Sequence, residues 1–234
     1  MSTELILVRH GESIANVSPV IGGMRGDAGL TATGHRQAEL LAERFRVEHF
    51  SADLLYASTL PRAQQTAGYL AEVLDLPVQD DAELQEVRVG EADGLSHAEW
   101  SSRWPGLAGG LWVNPFQAFA TGGESWAAFL ARAGAGLTDL VTRHPGRRIV
   151  AVTHGGVIQA SLAMAFGLGP TATRVGFALS NTGMTTWRHD PSGGDPAWTL
   201  VAVNDAGHLQ ALQRTEQAAD VGVDGDRPGY RPGR

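Results

Sequence analysis

The 234-residue chain contains no cysteine and no lysine. The absence of cysteine excludes disulfides, a thiolate nucleophile and cysteine-ligated zinc or iron–sulfur centres. All 18 basic residues are arginine, and the absence of lysine excludes Schiff-base chemistry and the Walker-type phosphate loop. The sequence also lacks the His-Glu-x-x-His motif of zinc proteases and the Gly-x-Ser-x-Gly motif of serine hydrolases. We therefore expect neither a bound metal nor a cofactor.

Positive charge is scarce, because the formal net charge is -7 and the isoelectric point is near 5.6. This balance argues against a general surface for nucleic acid or for anionic membranes. The apolar run Leu5–Val8 is too short to span a bilayer, and no basic stretch precedes it. We expect a cytoplasmic protein without a targeting or membrane segment. Any anion that it binds must be held by a local cluster of arginine and histidine.

The sequence alternates between strand-like and helix-like patterns. Short apolar runs predict strands, and apolar residues at helical spacing predict helices between them. Such alternation favours an α/β fold, namely a three-layer α/β/α sandwich with a mostly parallel central sheet. The predicted strands are Leu5–Val8, Asp53–Ala57, Pro77–Gln79, Arg148–Thr153, Thr185–Arg188 and Trp198–Val203, and the predicted helices are Gly34–Phe50, Pro61–Leu74, Ser125–Arg143 and Val157–Phe166.

The length fits a single domain, which we place at residues 1–212. Residues 92–123 are rich in glycine, proline and tryptophan and predict an irregular excursion over the sheet. The polar, glycine- and proline-rich residues 213–234 predict a disordered tail. Aromatic residues in the excursion either form a small satellite core or provide an apolar wall for a ligand: Trp100, Trp104, Trp112 and Phe116.

Two His-Gly pairs follow buried strands, in the segments Val8–Ser13 and Val152–Gly156. In an open parallel sheet, ligands bind just outside the carboxyl ends of the strands. Arg62 lies in the first turn of a predicted helix after another strand, where backbone N–H groups and the helix dipole favour anions. Arg9, His10, Arg62 and His154 together predict a cationic pocket suited to a phosphate dianion.

With these segments, the chain resembles the histidine phosphatase superfamily, the phosphoglycerate-mutase-like proteins. The resemblance covers residues 4–210 and is carried by short motifs in the expected order. These are Leu7–Ser13 with Asn16, Leu30–Gly34 with Gln37, Ser58 with Arg62 and Thr66, Leu84–Glu86 with Gly90 and Gly94, Gly123–Ser125, His154–Gly156, Asn181, and Asn204 with His208.

The resemblance implies a role for each matched position. His10 matches the nucleophile that takes the phosphoryl group, and Glu86 matches the proton donor. The resemblance places His154 with Arg9 and Arg62 in the phosphate pocket. Further candidates for contacts with the phosphate are Asn16, Ser13 and Gly155. No metal is implied, because arginine supplies the positive charge.

Several alternatives stay open. Glu83 and Glu91 lie near Glu86 and could present the acid instead. The favoured function is hydrolysis of a small phosphorylated metabolite, because Ser96–Thr121 has only Arg103 as a charged base and lacks the basic insertion of the mutases. A phosphoglycerate mutase and a catalytically silent module that binds phosphorylated ligands are the other candidates. The sequence leaves open whether the protein forms a homodimer.

Overall fold

A six-stranded mixed sheet forms the centre of the computed structural model, which describes residues 1–107, 114–170, 175–192 and 197–210. The strand order is β3-β2-β4-β1-β5-β6. The strands β3, β2, β4 and β1 run parallel to one another. Strand β5 pairs antiparallel with both of its neighbours, β1 and β6. The strands are β1 (Thr3–Arg9), β2 (Leu54–Ala57), β3 (Val78–Asp80), β4 (Arg148–Thr153), β5 (Met184–His189) and β6 (Trp198–Asp205).

Helices cover both faces of the sheet. The side chains of β1 alternate between the two faces: Leu5 and Leu7 pack against α5 and α6, while Ile6 and Val8 pack against α2 and α3. The chain is therefore a three-layer α/β/α sandwich, as the sequence predicts. The helices are α1 (Ile14–Val17), α2 (Ala32–Val47), α3 (Pro61–Leu74), α4 (His97–Arg103), α5 (Trp126–Arg143) and α6 (Gly155–Ala165).

The predicted strands and helices differ from the observed ones by at most three residues at either end. Helix α2 begins two residues before the predicted Gly34, because the hydroxyl of Thr31 accepts a hydrogen bond from the Gly34 N–H at 3.0 Å. It ends at Val47, and the ring of Phe50 turns back to stack on Phe45 at 4.1 Å. Helix α6 likewise begins at Gly155, ahead of the predicted start at Val157.

The excursion of residues 92–123 contains a short helix, α4, which its irregular composition did not predict. A capping box starts this helix, because the side chains of Ser96 and Glu99 each bind the other's backbone N–H. Trp100 is 7% exposed, donates a 2.9 Å hydrogen bond to the Phe119 carbonyl, and packs in a small core with Ile21. Trp100 thus belongs to a small satellite core, one of the two arrangements predicted for these aromatic residues.

Two more of the four aromatic residues predicted for the excursion lie within the described ranges. Trp104 packs at the edge of the satellite core, and Phe116 is 71% exposed. Trp112 and the predicted tail at residues 213–234 lie outside the described residues. Within the described ranges, no helix combines the length and the apolar composition needed to cross a membrane.

Candidate active site

Three neighbouring strands end side by side and deliver the predicted site residues to one edge of the sheet. In the register of these strands, Arg9 lies beside Thr153 and Ala57 lies beside Val152. The next residues along the chain are His10, His154 and Ser58. The two imidazole rings consequently lie 5.1 Å apart, centre to centre, although they are far apart in the sequence.

The ring of His10 carries its lone pair on Nε2. Its Nδ1 lies 2.6 Å from the Gly11 carbonyl, which can only accept, so Nδ1 carries the proton. Arg62 Nε–H donates to His10 Nε2 at 3.1 Å. Burial first, and the nearby Arg62 charge second, hold the pKa of His10 well below its ordinary value. The imidazole is therefore neutral near pH 7, as a nucleophile requires.

His154 lies beneath the cavity and is fully buried. Its Nδ1 accepts a 3.3 Å hydrogen bond from Arg62 Nε–H, so its Nε2–H donates to the Ser58 hydroxyl at 2.7 Å. Burial, followed by the charge of Arg62, lowers the pKa of His154 well below its usual value. One guanidinium N–H thus faces the lone pairs of both imidazoles.

Arg62 is held by a carboxylate that the sequence analysis did not single out. Asp27 Oδ2 accepts hydrogen bonds from Arg62 Nη1 at 3.0 Å and from the Arg62 backbone N–H at 3.3 Å. Both side chains are buried, with 5% exposure for Arg62 and 0% for Asp27. In the sequence, only its position inside a glycine-rich loop could have indicated a role for Asp27. In the structure, the Gly29 N–H also donates to its carboxylate.

Arg9 supplies the second guanidinium. Its Nη1 donates to the Leu179 carbonyl at 2.5 Å, while its buried Nε has no hydrogen-bond partner among the described residues. Burial lowers the pKa of Arg9 from its ordinary value, and the carboxylate of Glu86 opposes that effect. Gly155 packs next to Arg9. An unpaired guanidinium N–H beside the N-terminus of α6 is a suitable donor for an anion.

Glu86 faces the same cavity. Its carboxylate accepts hydrogen bonds from the Gly156 N–H at 3.0 Å and from its neighbour Val87 at 3.1 Å. The two competing acids lie at the surface, where Glu83 pairs with Arg88 and Glu91 pairs with Arg103. Among the three candidates, Glu86 is the one that lines the cavity.

The cavity measures about 320 Å³. Six of the predicted site residues line it, whereas His154 and Ser13 are buried and do not line it. The backbone N–H of Ser13 donates to the Asn16 side chain at 3.0 Å, so Ser13 orients Asn16. The six lining residues are Arg9, His10, Asn16, Arg62, Glu86 and Gly155.

The cavity wall also includes residues that the motifs did not indicate: Gln159, Phe177 and Leu179. A second cavity of about 230 Å³ opens beside Glu86 and is lined by Met24, Gln85 and Val87, among others. Within the described ranges, no group of three or more acidic or histidine side chains is arranged as metal ligands would be.

The site combines two buried imidazoles, two guanidiniums and a carboxylate at the carboxyl ends of parallel strands. An α/β protein with this set of groups is suited to binding and transferring a phosphoryl group. Comparison with known proteins gives the family, since residues 5–206 match the model of the histidine phosphatase superfamily, branch 1. The chain belongs to this superfamily.

Relatives within the superfamily carry different activities in their names. A 2,3-bisphosphoglycerate-dependent phosphoglycerate mutase of Brucella anthropi is 31% identical over 73% of this chain and 84% of its own length. A metal-independent phosphoserine phosphatase of Arabidopsis thaliana is 33% identical over 68% of this chain and 66% of its own length. The solved structure of mycobacterial glucosyl-3-phosphoglycerate phosphatase with VO3 matches with a TM-score of 0.70 and 28% identity, covering 86% of this chain and 99% of that one.

Proposed function

We propose that the protein is a phosphomonoesterase that hydrolyses a small phosphorylated metabolite through a phosphohistidine on His10. The observation that carries the proposal is the Nε2 lone pair of His10, which faces a cavity lined by Arg9 and Arg62. Hydrolysis of phosphate monoesters is among the slowest uncatalysed reactions in water. Most of the catalysis must therefore come from positioning and from charge around the phosphoryl oxygens.

In the first step the phosphate group binds between the guanidiniums of Arg9 and Arg62, and Nε2 of His10 attacks phosphorus. Before this attack, Arg62 Nε–H must release the Nε2 lone pair, because that lone pair forms the N–P bond. The freed Nε–H then donates to an oxygen of the phosphoryl group. The P–O bond to the alcohol breaks as Glu86 gives its proton to the departing oxygen.

In the second step the phosphohistidine is hydrolysed. Glu86, now a carboxylate, takes a proton from a water molecule that attacks phosphorus opposite the N–P bond. The N–P bond breaks, inorganic phosphate leaves, and His10 returns to its neutral form. The positive end of α6, through Gly155 and Gly156, and the two guanidiniums stabilise the negative charge, so the proposed cycle requires no metal.

The distribution of positive charge favours hydrolysis over mutase chemistry. A mutase retains the phosphoryl group and must also hold a second anionic group of its substrate. The nearby surface arginines are engaged elsewhere: Arg25 lies 3.7 Å from Asp93, and Arg103 pairs with Glu91 at 2.7 Å. Among the described residues, the arginines that line the cavity are Arg9 and Arg62, and both are assigned to one phosphate.

The test compares wild type with His10→Asn and with His97→Asn, an exposed histidine, as a matched control. We expect wild type and H97N to release phosphate from p-nitrophenyl phosphate and to form an acid-labile phosphoenzyme, and H10N to do neither. Residual turnover by H10N would contradict the covalent route. Interconversion of 3- and 2-phosphoglycerate with little free phosphate would indicate a mutase, and vanadate binding without turnover would indicate a binding module.

A further inference from the structure

Arg132, in the middle of α5, directs three of its five guanidinium donors at the segment that carries Glu86. Its Nη1 donates to the carbonyls of Glu83 at 2.8 Å and Gln85 at 3.2 Å, and its Nη2 donates to the Glu86 carbonyl at 3.2 Å. The remaining donors bind Glu124, at 2.6 Å from Nε and 2.9 Å from Nη2. All five N–H donors of the side chain are used.

Glu124 extends this attachment along the same segment. Its carboxylate accepts a hydrogen bond from the Arg88 backbone N–H at 2.8 Å, and its own backbone N–H donates to the Arg88 carbonyl at 2.7 Å. Arg132 therefore fixes the backbone of residues 83–86, and Glu124 fixes the backbone of residue 88. Glu86 is the last residue of the first attachment and lies two residues before the second.

The segment needs such support because it has little regular structure of its own. Residues 85–89 lie between two short 3₁₀ helices and belong to no strand or helix. The carboxylate of Glu86 is held by the Gly156 N–H and by its own neighbour. A shift of this backbone would therefore move the carboxylate relative to His10.

Arg132 and Glu124 form a desolvated ion pair, with 8% and 15% of their side chains exposed. Burial alone would raise the pKa of Glu124, but the hydrogen bonds from Arg132 and from the Arg88 N–H lower it overall. Glu124 is therefore charged near pH 7. The planar fork of arginine suits this set of acceptors, whereas an ammonium offers only three donors from one atom.

We propose that Arg132, paired with Glu124, is a positioning residue that sets Glu86 for proton transfer to the leaving group. This inference rests on the proposed role of Glu86. Neither side chain lines the described cavity, so both act through Glu86 and not on the substrate.

Substrates with different leaving groups distinguish a positioning residue from a purely structural one. An aliphatic alcohol departs as a poor alkoxide unless it is protonated, whereas p-nitrophenolate is a stable anion that departs without a proton. Displacement of Glu86 should therefore slow hydrolysis of an aliphatic ester more than hydrolysis of p-nitrophenyl phosphate. The value of kcat/KM reports this step, because it includes events only up to transfer of the phosphoryl group to His10.

The experiment measures kcat/KM for β-glycerophosphate and p-nitrophenyl phosphate with the full-length protein. The variants are Glu86→Gln, Arg132→Gln, Arg132→Lys and Glu124→Gln. Arg143→Gln is the matched control, since Arg143 lies on the same helix and pairs with Asp139 at the surface. The quantity compared is kcat/KM for β-glycerophosphate divided by kcat/KM for p-nitrophenyl phosphate. We expect R132Q and E124Q to lower this ratio by about tenfold, E86Q to lower it further, and R143Q to leave it unchanged.

The outcomes separate this inference from the proposed function. If E86Q lowers the ratio but R132Q slows both esters equally, the positioning role is overturned while the role of Glu86 stands. If E86Q leaves the ratio unchanged, the role of Glu86 fails and the inference fails with it. Should R132Q not fold, R132K decides: a reduced ratio supports the inference, and a wild-type ratio overturns it.

Discussion

Asp27 accepts two hydrogen bonds from Arg62, one from the guanidinium and one from the backbone N–H. This carboxylate fixes the plane of the guanidinium, so that the remaining Nε–H points at His10 and His154. Because Asp27 is fully buried, removal of either partner leaves a charge without compensation in a region that excludes water.

The first prediction concerns this pair. Asp27→Ala should lower the free energy of unfolding by roughly 3–5 kcal/mol and sharply reduce kcat/KM for p-nitrophenyl phosphate, because Arg62 loses its orientation. Urea unfolding and steady-state kinetics measure the two effects. Glu39→Ala, which removes the exposed pair with Arg36, should cost less than about 1 kcal/mol. Equal effects in the two variants would contradict this account of Asp27.

The second prediction concerns the space beside Glu86. A Cβ atom at Gly156 would collide with the Glu86 carboxylate, so Gly156→Ala must displace the proposed proton donor. We expect a lower kcat/KM with a fold that remains intact by circular dichroism. Gly68→Ala is the control, because a Cβ there meets nothing within 4 Å on α3 and should stabilise the helix by up to about 1 kcal/mol. Full activity in G156A would argue against Glu86 as the donor.

The third prediction concerns acid sensitivity. Burial lowers the pKa of His10 and of His154, and it lowers the pKa of His208 to about 4. The unfolded chain takes up protons as the pH falls below about 6.5, while these folded imidazoles do not. Stability should therefore be complete above pH 6.5 and decline below it, by on the order of 1 kcal/mol per pH unit for each fully buried histidine.

Urea unfolding at pH 7.5 and pH 5.5 checks this prediction. The Thr182 hydroxyl donates to the Asn181 carbonyl, so it accepts from His208 Nε2–H at 2.8 Å. This hydrogen bond ties the segment after β6 to the loop before β5. His208→Gln should reduce the difference in stability between the two pH values. The same stability at both pH values in the wild type would show that these histidines take up protons in the folded state.

The fourth prediction separates packing from catalysis in the excursion. Trp100→Ala removes a buried ring and its hydrogen bond to Phe119, and should cost about 3–5 kcal/mol of stability. KM should change little, because Trp100 does not line the cavity beside His10. Phe116→Ala, at an exposed position, should change neither quantity. A large rise in KM at unchanged stability for W100A would restore the interpretation of a ligand wall.

Residue patterns predicted the strands well, since each buried strand is a short apolar run between turn residues. The run Arg148–Thr153 matches β4 at both ends. The start of α2 was predicted two residues late, because the cap at Thr31 lies outside the apolar pattern of the helix. Helix α4 was missed because its seven residues give too few turns for a clear apolar period.

The sequence by itself determined the chemistry available to this protein: histidine as the proposed nucleophile, arginine as the positive charge, and no thiol or lysine to replace them. Local patterns also determined the sandwich fold, because alternating apolar runs leave few ways to bury a parallel sheet. Only the tertiary structure decided which carboxylate lines the cavity with His10. It also decided that Asp27 binds Arg62 and that Arg132 binds the segment carrying Glu86. These contacts join residues that are far apart along the chain, and their directions depend on register and helix packing that no local pattern encodes.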